Sequence, residues 1–205
     1  MSLLDRIVAD RYDAFLAPAE RAGIAAMRHD LIGELRGNVL EIGAGTGLNL
    51  GHYPAQMASL TLTEPTPEMA RHLRERVAKL RPGTTVLDAP AHDLPLDDDS
   101  IDTVVSTLVL CTVPDVEAAL AEITRVLRPG GSLVVLEHVA TDNNWRHVQR
   151  FLNPAWKVFA RGCNLTRDTK SLLADAGFDV NEIVESGMPG LPWTKASIRG
   201  TATLA

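Results

Sequence analysis

The 205-residue chain has no run of about 18 uncharged apolar residues, so no helix of it is expected to cross a bilayer. Its opening, Met1-Ser2-Leu3-Leu4-Asp5-Arg6, lacks the basic start and apolar core of a secretory signal, and a cytoplasmic location is expected. Cysteine is scarce. Only Cys111 and Cys163 occur, and their wide spacing matches neither a zinc-ligand pair nor a disulfide framework, so no metal is expected. An excess of positive charge is missing too: the net charge is −6, which argues against a nucleic-acid binder. The remaining composition, 45% hydrophobic and 22% charged, fits one domain over 1–205.

What the chain does have is Val39-Leu40-Glu41-Ile42-Gly43-Ala44-Gly45-Thr46-Gly47, followed by Leu48-Asn49-Leu50. A short apolar run of this kind reads as a buried parallel strand, and the alternate glycines after it require a tight turn into a helix. Such a turn lets a ligand approach the main chain at the carboxyl end of a central strand. The dinucleotide pattern fails here, because its last small position falls on Leu48; an NAD-linked oxidoreductase is a distant alternative. Two acids complete the pattern. Glu41 can receive an ammonium group, and Glu64, ending the next strand, stands at the usual ribose-binding distance. A ligand with an amino group and a ribose is indicated, and S-adenosylmethionine (SAM) has both. A tight turn in some other α/β protein is the plainer alternative.

The Glu-x-Gly-x-Gly-x-Gly stretch followed by an acid after the second strand resembles the nucleotide-binding half of a class I SAM-dependent methyltransferase. The resemblance implies an α/β, Rossmann-like sheet of seven strands in the order 3-2-1-4-5-7-6, the last antiparallel. It also implies SAM as cofactor, S-adenosylhomocysteine as product, and Glu41, Gly43, Ala44, Gly45, Thr46, Asn49, Glu64 and Pro65 as cofactor-binding residues. His92 and Asp93 fall on the family's adenine-side segment, and Thr107 and Leu108 at the end of the fourth strand. A loop pair without function is an equal reading for His92 and Asp93.

Taken in order, residues 1–36 read as a cap of two helices separated at Pro18, with Ile7, Tyr12, Phe15 and Leu16 in the first and Ile24, Met27, Leu31 and Leu35 in the second. Strands are expected at Ser59 to Thr63, Thr85 to Asp88, Ile101 to Ser106 and Ser132 to Leu136. A helix capped by Thr66 should begin at Pro67, and another should run from Pro114 to Leu127, closed by Arg128-Pro129-Gly130-Gly131. A helix from Leu165 to Ala176, a strand from Phe178 to Val184 and a last strand from Ser197 to Leu204 end the chain, the two strands forming an antiparallel hairpin.

The segment 141–164 reads as an insert, and four of the nine aromatic residues lie in it: Trp145, Phe151, Trp156 and Phe159. Trp145, Val148 and Leu152 share one helical face, and Pro154 is expected to break or kink the helix. A lid with Trp145, Trp156 and Phe159 walling an acceptor pocket is one reading; an aromatic stripe packed on the sheet is the other. Between Asn143 and Lys170 six basic residues face one acid, so this region could touch an anionic membrane surface or be a solvated helix face.

Ser106 to Val113, Glu137-His138-Val139, Asn153-Pro154-Ala155-Trp156 and Gly162-Cys163-Asn164-Leu165-Thr166-Arg167 are similar to the animal membrane-associated thiol S-methyltransferases, over about Arg36 to Gly187. The chain departs from that group in having no apolar N-terminal anchor and in carrying Glu64 where an aspartate is usual. The resemblance implies a small-molecule methyl acceptor, best read as a thiol. A lipid head group or a quinone is the alternative, since bacterial relatives carry such labels, and a SAM-binding module without turnover is the third reading. His138 is the candidate base or acceptor-orienting group, against a histidine that only bonds backbone.

Overall fold

A computed structural model of the chain describes residues 3–204; the side chain of Ile7 lies outside the described residues. Helix α1 (Leu3–Ala19) runs through Pro18 and continues into a π-helical turn, Glu20–Ile24, before α2 (Ala25–Ile32). The expected break at Pro18 is therefore displaced. Proline near a helix end loses only one carbonyl bond, whereas Gly23, at φ 143°, adopts a backbone that L side chains rarely reach, and the chain turns there.

Strands β1 (Asn38–Ile42), β2 (Ser59–Thr63), β3 (Thr85–Leu87), β4 (Ile101–Thr107) and β5 (Leu127–His138) pair in parallel. Their near-continuous burial explains why they read as apolar runs rather than alternating ones: helices cover both faces. Helix α3 (Pro67–Leu80) packs Met69, Leu73 and Val77 inward, and α4 (Val116–Val126) packs Leu120, Ile123 and Val126. Thr66 precedes α3 without a side-chain cap bond, contrary to expectation, whereas Asp115 caps α4 by accepting from the Ala118 amide. Arg128-Pro129-Gly130-Gly131 does not close α4 as a free turn. Ile101 pairs with Leu127 and Thr103 with Ser132, so the four residues bulge out of β5.

After α5 (Trp145–Phe159) and α6 (Thr169–Asp175) come β6 (Phe178–Asp179), β7 (Val184–Gly187) and β8 (Ala196–Leu204). The sheet order is β3-β2-β1-β4-β5-β8-β6, with β7 also paired to β8, and β8 is antiparallel to β5. The expected order is thus present, with one change. The single strand expected from Phe178 to Val184 is split, because Asp179 accepts from the Asn181 amide and the Ile183 amide reaches Val180 O, which turns the chain between β6 and β7. The Leu165 helix likewise starts late, at Thr169, where Asp168 caps the Ser171 amide.

Candidate active site

The glycine turn follows β1 at the centre of the sheet, and Gly43, Gly45 and Gly47 all have left-handed φ values, 56°, 59° and 86°. Their requirements differ. A Cβ on Gly43 would meet Val109 at 2.8 Å, and one on Gly47 would meet Leu50 and Leu73 at 2.8 Å, so these two serve packing. A Cβ on Gly45 would meet nothing within 4 Å. That glycine faces open space, as a ligand cradle requires.

Tyr12, Arg28, Glu41, Gly43, Ala44, Gly45, Thr46, Leu48, Asn49 and Thr107 line this space, which measures about 30 Å³. Glu64 adjoins it, accepting from the Gly45 amide at 2.9 Å and, through its other oxygen, from the Thr66 amide at 2.8 Å. Leu108, next after Thr107, is held at φ 62°, a conformation uncommon for a non-glycine residue. Pro65 is exposed beside the rim. His92 and Asp93 are exposed and do not line the enclosed space; the Asp93 amide closes a turn on Pro90.

Arg28 escaped the sequence reading. It is 4% exposed, pairs with Glu20 at 3.0 Å and donates to Asn49 Oδ1 at 2.9 Å and Thr107 Oγ1 at 3.1 Å. Its Nε and Nη2 are already engaged by the Glu20 carboxylate, so what it offers beside the cradle is a buried positive charge toward an anionic ligand group. Nothing local marks it, since one arginine on an amphipathic helix reads as a surface residue; only the fold of the cap over the turn brings it in. The cap is fastened at the rim by Thr46 Oγ1 donating to Asp13 at 2.5 Å, by the Arg76–Asp13 ion pair and by Arg71 on Asp10 at 3.0 Å. The two ion pairs are half-exposed or exposed contacts of small worth, whereas Thr46 is buried. A second cleft of about 290 Å³ lies between α1 and α3, touches the glycine turn at Thr46, and is rimmed by Asp10, Asp13, Glu75, Arg76 and Lys79.

Glu41 is fully enclosed. It accepts from Asn49 Nδ2 at 2.9 Å and from the Tyr53 hydroxyl at 2.8 Å, yet burial outweighs both bonds and pushes its carboxyl up to about 7. Between its ordinary value of 4.5 and about 7 the folded chain holds a proton that the unfolded chain releases. The stabilisation from this group is therefore complete below the ordinary value and lost as pH rises through about 7, on the order of 3 kcal/mol. Melting curves from pH 4.5 to 8 should show this decline in the wild-type chain and a flatter profile in Glu41→Gln; parallel profiles would refute it.

On the other side of the crevice, α5 runs unbroken through Pro154, so the expected break does not occur. Arg150 and Pro154 are both exposed, so the carbonyl freed four residues before the proline is left on the solvent side. Of the expected apolar face, Val148 and Leu152 are half-buried and Trp145 is exposed. Trp145 is 41% exposed, Phe151 83% and Phe159 64%; Gln149, 1% exposed, ties α5 down by donating to Val139 O and Trp193 O and accepting from the Thr141 amide. Of the three proposed pocket aromatics, Trp145 points outward, Trp156 packs on Cys111, Cys163 and Leu165, and Phe159 meets Phe15 of α1 edge-on at 5.9 Å. The cap and α5 thus meet above the sheet.

His138 ends β5, where its Nδ1 lies 3.7 Å from Cys163 Sγ. Cys111, in the loop after β4, completes a cluster whose ligand atoms all lie within 4.8 Å of one another. The two thiols, unrelated by linear spacing, are therefore neighbours. Cys111 donates to Cys163, which with His138 holds the Cys163 thiol well below its ordinary value, while sharing with Cys163, burial and Glu137 push Cys111 up. Beneath them Glu137, wholly buried, accepts from Ser106 Oγ and from the amides of Val109, Leu110 and Cys111 at 2.7–3.0 Å.

Comparison with known proteins identifies the family. The family described as methyltransferase domain matches residues 40–135. Human thiol S-methyltransferase TMT1B is 35% identical over 193 residues, covering 88% of this chain and 78% of that protein; human TMT1A is 39% identical over 146 residues, covering 69% and 59%. The chain thus spans less than two thirds of TMT1A. A phosphatidylethanolamine N-methyltransferase of Cereibacter sphaeroides is 37% identical over 108 residues, covering 52% and 53%. A solved SAM-dependent methyltransferase of Thermotoga maritima superposes with a TM-score of 0.73 at 24% identity, covering 98% of each chain, a likeness of fold.

Proposed function

Since the chain belongs to the SAM-dependent methyltransferases, in the group of the thiol S-methyltransferases, we propose that it moves the methyl group of SAM to the sulfur of a small apolar thiol. The observation that carries the cofactor half of this reading is Gly45, whose open face is bordered by an arginine and two carboxylates. Arg28 would hold the carboxylate of the methionine part, Glu41 and Asn49 its ammonium, and Glu64 the ribose hydroxyls. The enclosed 30 Å³ is far too small for that ligand, so entry requires α1 to lift at its half-exposed ties.

When bound, SAM supplies a methyl carbon already electrophilic at its sulfonium sulfur, so what the chain contributes is alignment and exclusion of water. Thr107 and Leu108 lie at the crevice between the glycine turn and the Cys111 loop. His138 orients the acceptor sulfur, and Trp156 and Phe159 enclose it. The thiol half of the reading draws its support from the names of the human relatives. A SAM-to-SAH turnover screen across alkyl thiols, phenols and amines tests it: turnover with thiols alone is expected, and turnover confined to phenols or amines would refute it.

Two mutations separate the roles. Glu64→Ala should weaken SAM by about 1.5–3 kcal/mol, the range for bonds to a charged acceptor, and unchanged affinity by calorimetry would sink the assignment. Trp156→Ala should raise the acceptor KM or lower kcat while leaving SAM affinity within a few-fold, because its contacts lie on the acceptor side. A loss of about 3–5 kcal/mol in stability with normal specific activity in the folded fraction would make it core instead.

A second reading, a lipid or quinone acceptor met at a membrane surface, is favoured by one observation. Phe151 and Val158, each 83% exposed, share the outward side of α5, beside Arg146, Arg150 and Lys157. Co-sedimentation with anionic vesicles distinguishes this from a freely diffusing thiol acceptor.

A further inference from the structure

We propose that Cys111, Cys163 and His138 form a site for one soft divalent cation, zinc by their chemistry, whose fourth position takes the acceptor thiol. The inference rests on the thiol reading above for its last clause, and on the geometry of the cluster for the rest.

Two sulfurs and an imidazole nitrogen are the donor set that zinc prefers, and three protein ligands with one position left open is the pattern of catalytic rather than structural zinc. Zinc–sulfur bonds of about 2.3 Å and zinc–nitrogen bonds of about 2.0 Å in a tetrahedron put neighbouring ligand atoms about 3.5 Å apart. The Cys163 Sγ to His138 Nδ1 separation is 3.7 Å, and all three ligand atoms fall within 4.8 Å of one another, so little movement closes the site.

The surroundings favour a cation between two thiolates. Cys111 and Cys163 are buried, and a dication with two thiolates and a neutral imidazole is uncharged as a whole, so it can be buried where any one of its charges could not. The indole N–H groups of Trp156 and Trp193 are both buried without a hydrogen-bond partner, and both rings pack on the cysteine cluster. Metal-bound thiolates are strong acceptors that such donors commonly serve. Glu137 adds a buried negative charge next to Cys111.

The cluster also stands where an acceptor must arrive. Gly43 lines the cofactor cradle and faces the side chain of Val109, two residues before Cys111, so the cysteine loop adjoins the cradle. His138 is the member that keeps contact with solvent, so a ligand enters from its side. There the acceptor R–SH replaces a bound water and releases its proton to solvent, because coordination of a thiol to zinc deprotonates it. Its sulfur pair then forms the new S–CH3 bond. The old bond from methyl carbon to sulfonium sulfur breaks with its electron pair going to that sulfur, which becomes neutral. The product R–S–CH3 is a neutral thioether, a far weaker ligand, and leaves.

The test uses the full chain, reduced, stripped by a chelator and titrated with zinc alone against a chromophoric competitor; cobalt(II) then replaces zinc as a spectroscopic probe. One zinc per chain is expected, bound at least about 100-fold more weakly in Cys163→Ser. The same is expected in His138→Gln, which serves if the first variant does not fold. The cobalt form should show sulfur-to-metal charge-transfer bands that shift when an alkyl thiol is added. Zinc bound no more tightly than by the Cys111→Ser/Cys163→Ser double variant would overturn the proposal, as would thiol methylation at the full rate after metal removal, which leaves the thiol reading standing. Conversely, tight zinc with cobalt bands indifferent to thiols, in an enzyme that turns over only phenols or amines, would overturn the thiol reading and the acceptor clause with it.

Discussion

Glu137→Ala is expected to destabilise the chain by at least about 4 kcal/mol and lower the melting temperature by roughly 8–16 °C. The carboxylate is wholly buried and is the shared acceptor of the Ser106 hydroxyl and the Val109, Leu110 and Cys111 amides. Alanine would leave three backbone donors in a dry interior without partners, each costing about 1–3 kcal/mol. The same four bonds hold the turn in which Leu108 sits at φ 62°, and a residue in that region persists only where its surroundings over-determine it. Glu137→Gln, which keeps one accepting oxygen, should fall between wild type and alanine. Urea unfolding of the three chains decides the matter: a loss under about 1 kcal/mol for the alanine variant would show that the amides find other acceptors and that Glu137 is not the keystone of the loop.

Gly45→Val should abolish measurable SAM binding, a loss of more than about 100-fold, while the chain stays folded. The argument runs through space and conformation separately. No protein atom lies within 4 Å of the position a Cβ would take, so the protein itself does not resist the side chain, but a cofactor approaching the main chain there would. A φ of 59° costs a non-glycine residue about 1–2 kcal/mol, which lowers the melting point without unfolding the domain. Gly43→Ala is the contrasting variant, since its Cβ meets Val109 at 2.8 Å and should cost stability first. SAM bound normally by the folded Gly45→Val chain would remove the cradle from the turn.

The sheet was legible because its determinants are local. β1 and β2 are apolar runs closed by glycine or by an acid and a proline, and β1, β2 and β4 appear within one or two residues of where their sequences place them. Errors collected where a side chain or a tertiary surface outvoted the local pattern. Pro18 and Pro154 sit in continuous helices because the carbonyl each frees costs little in its position, and the strand after Phe178 is split by the side chain of Asp179. The aromatic insert misled more deeply. Its helix was real, but Gln149 and Asn153 also fasten α5 by hydrogen bonds, alongside the packing of Trp156, and no apolar periodicity records such bonds.

The sequence by itself determined the cradle: the spacing of Glu41, Gly43, Gly45 and Glu64 is a local matter, because a strand, a turn and the next strand of a parallel sheet set those positions within a few residues of one another. Only the tertiary structure decided what surrounds it. Arg28 comes from a cap that folds back over the turn, Glu137 reaches a loop 26 to 28 residues earlier, and Cys111, His138 and Cys163 come from the loop after β4, the end of β5 and the segment after α5. Parallel strands end at one rim whatever their order in the chain, so residues far apart in sequence become neighbours there, and no linear spacing records it.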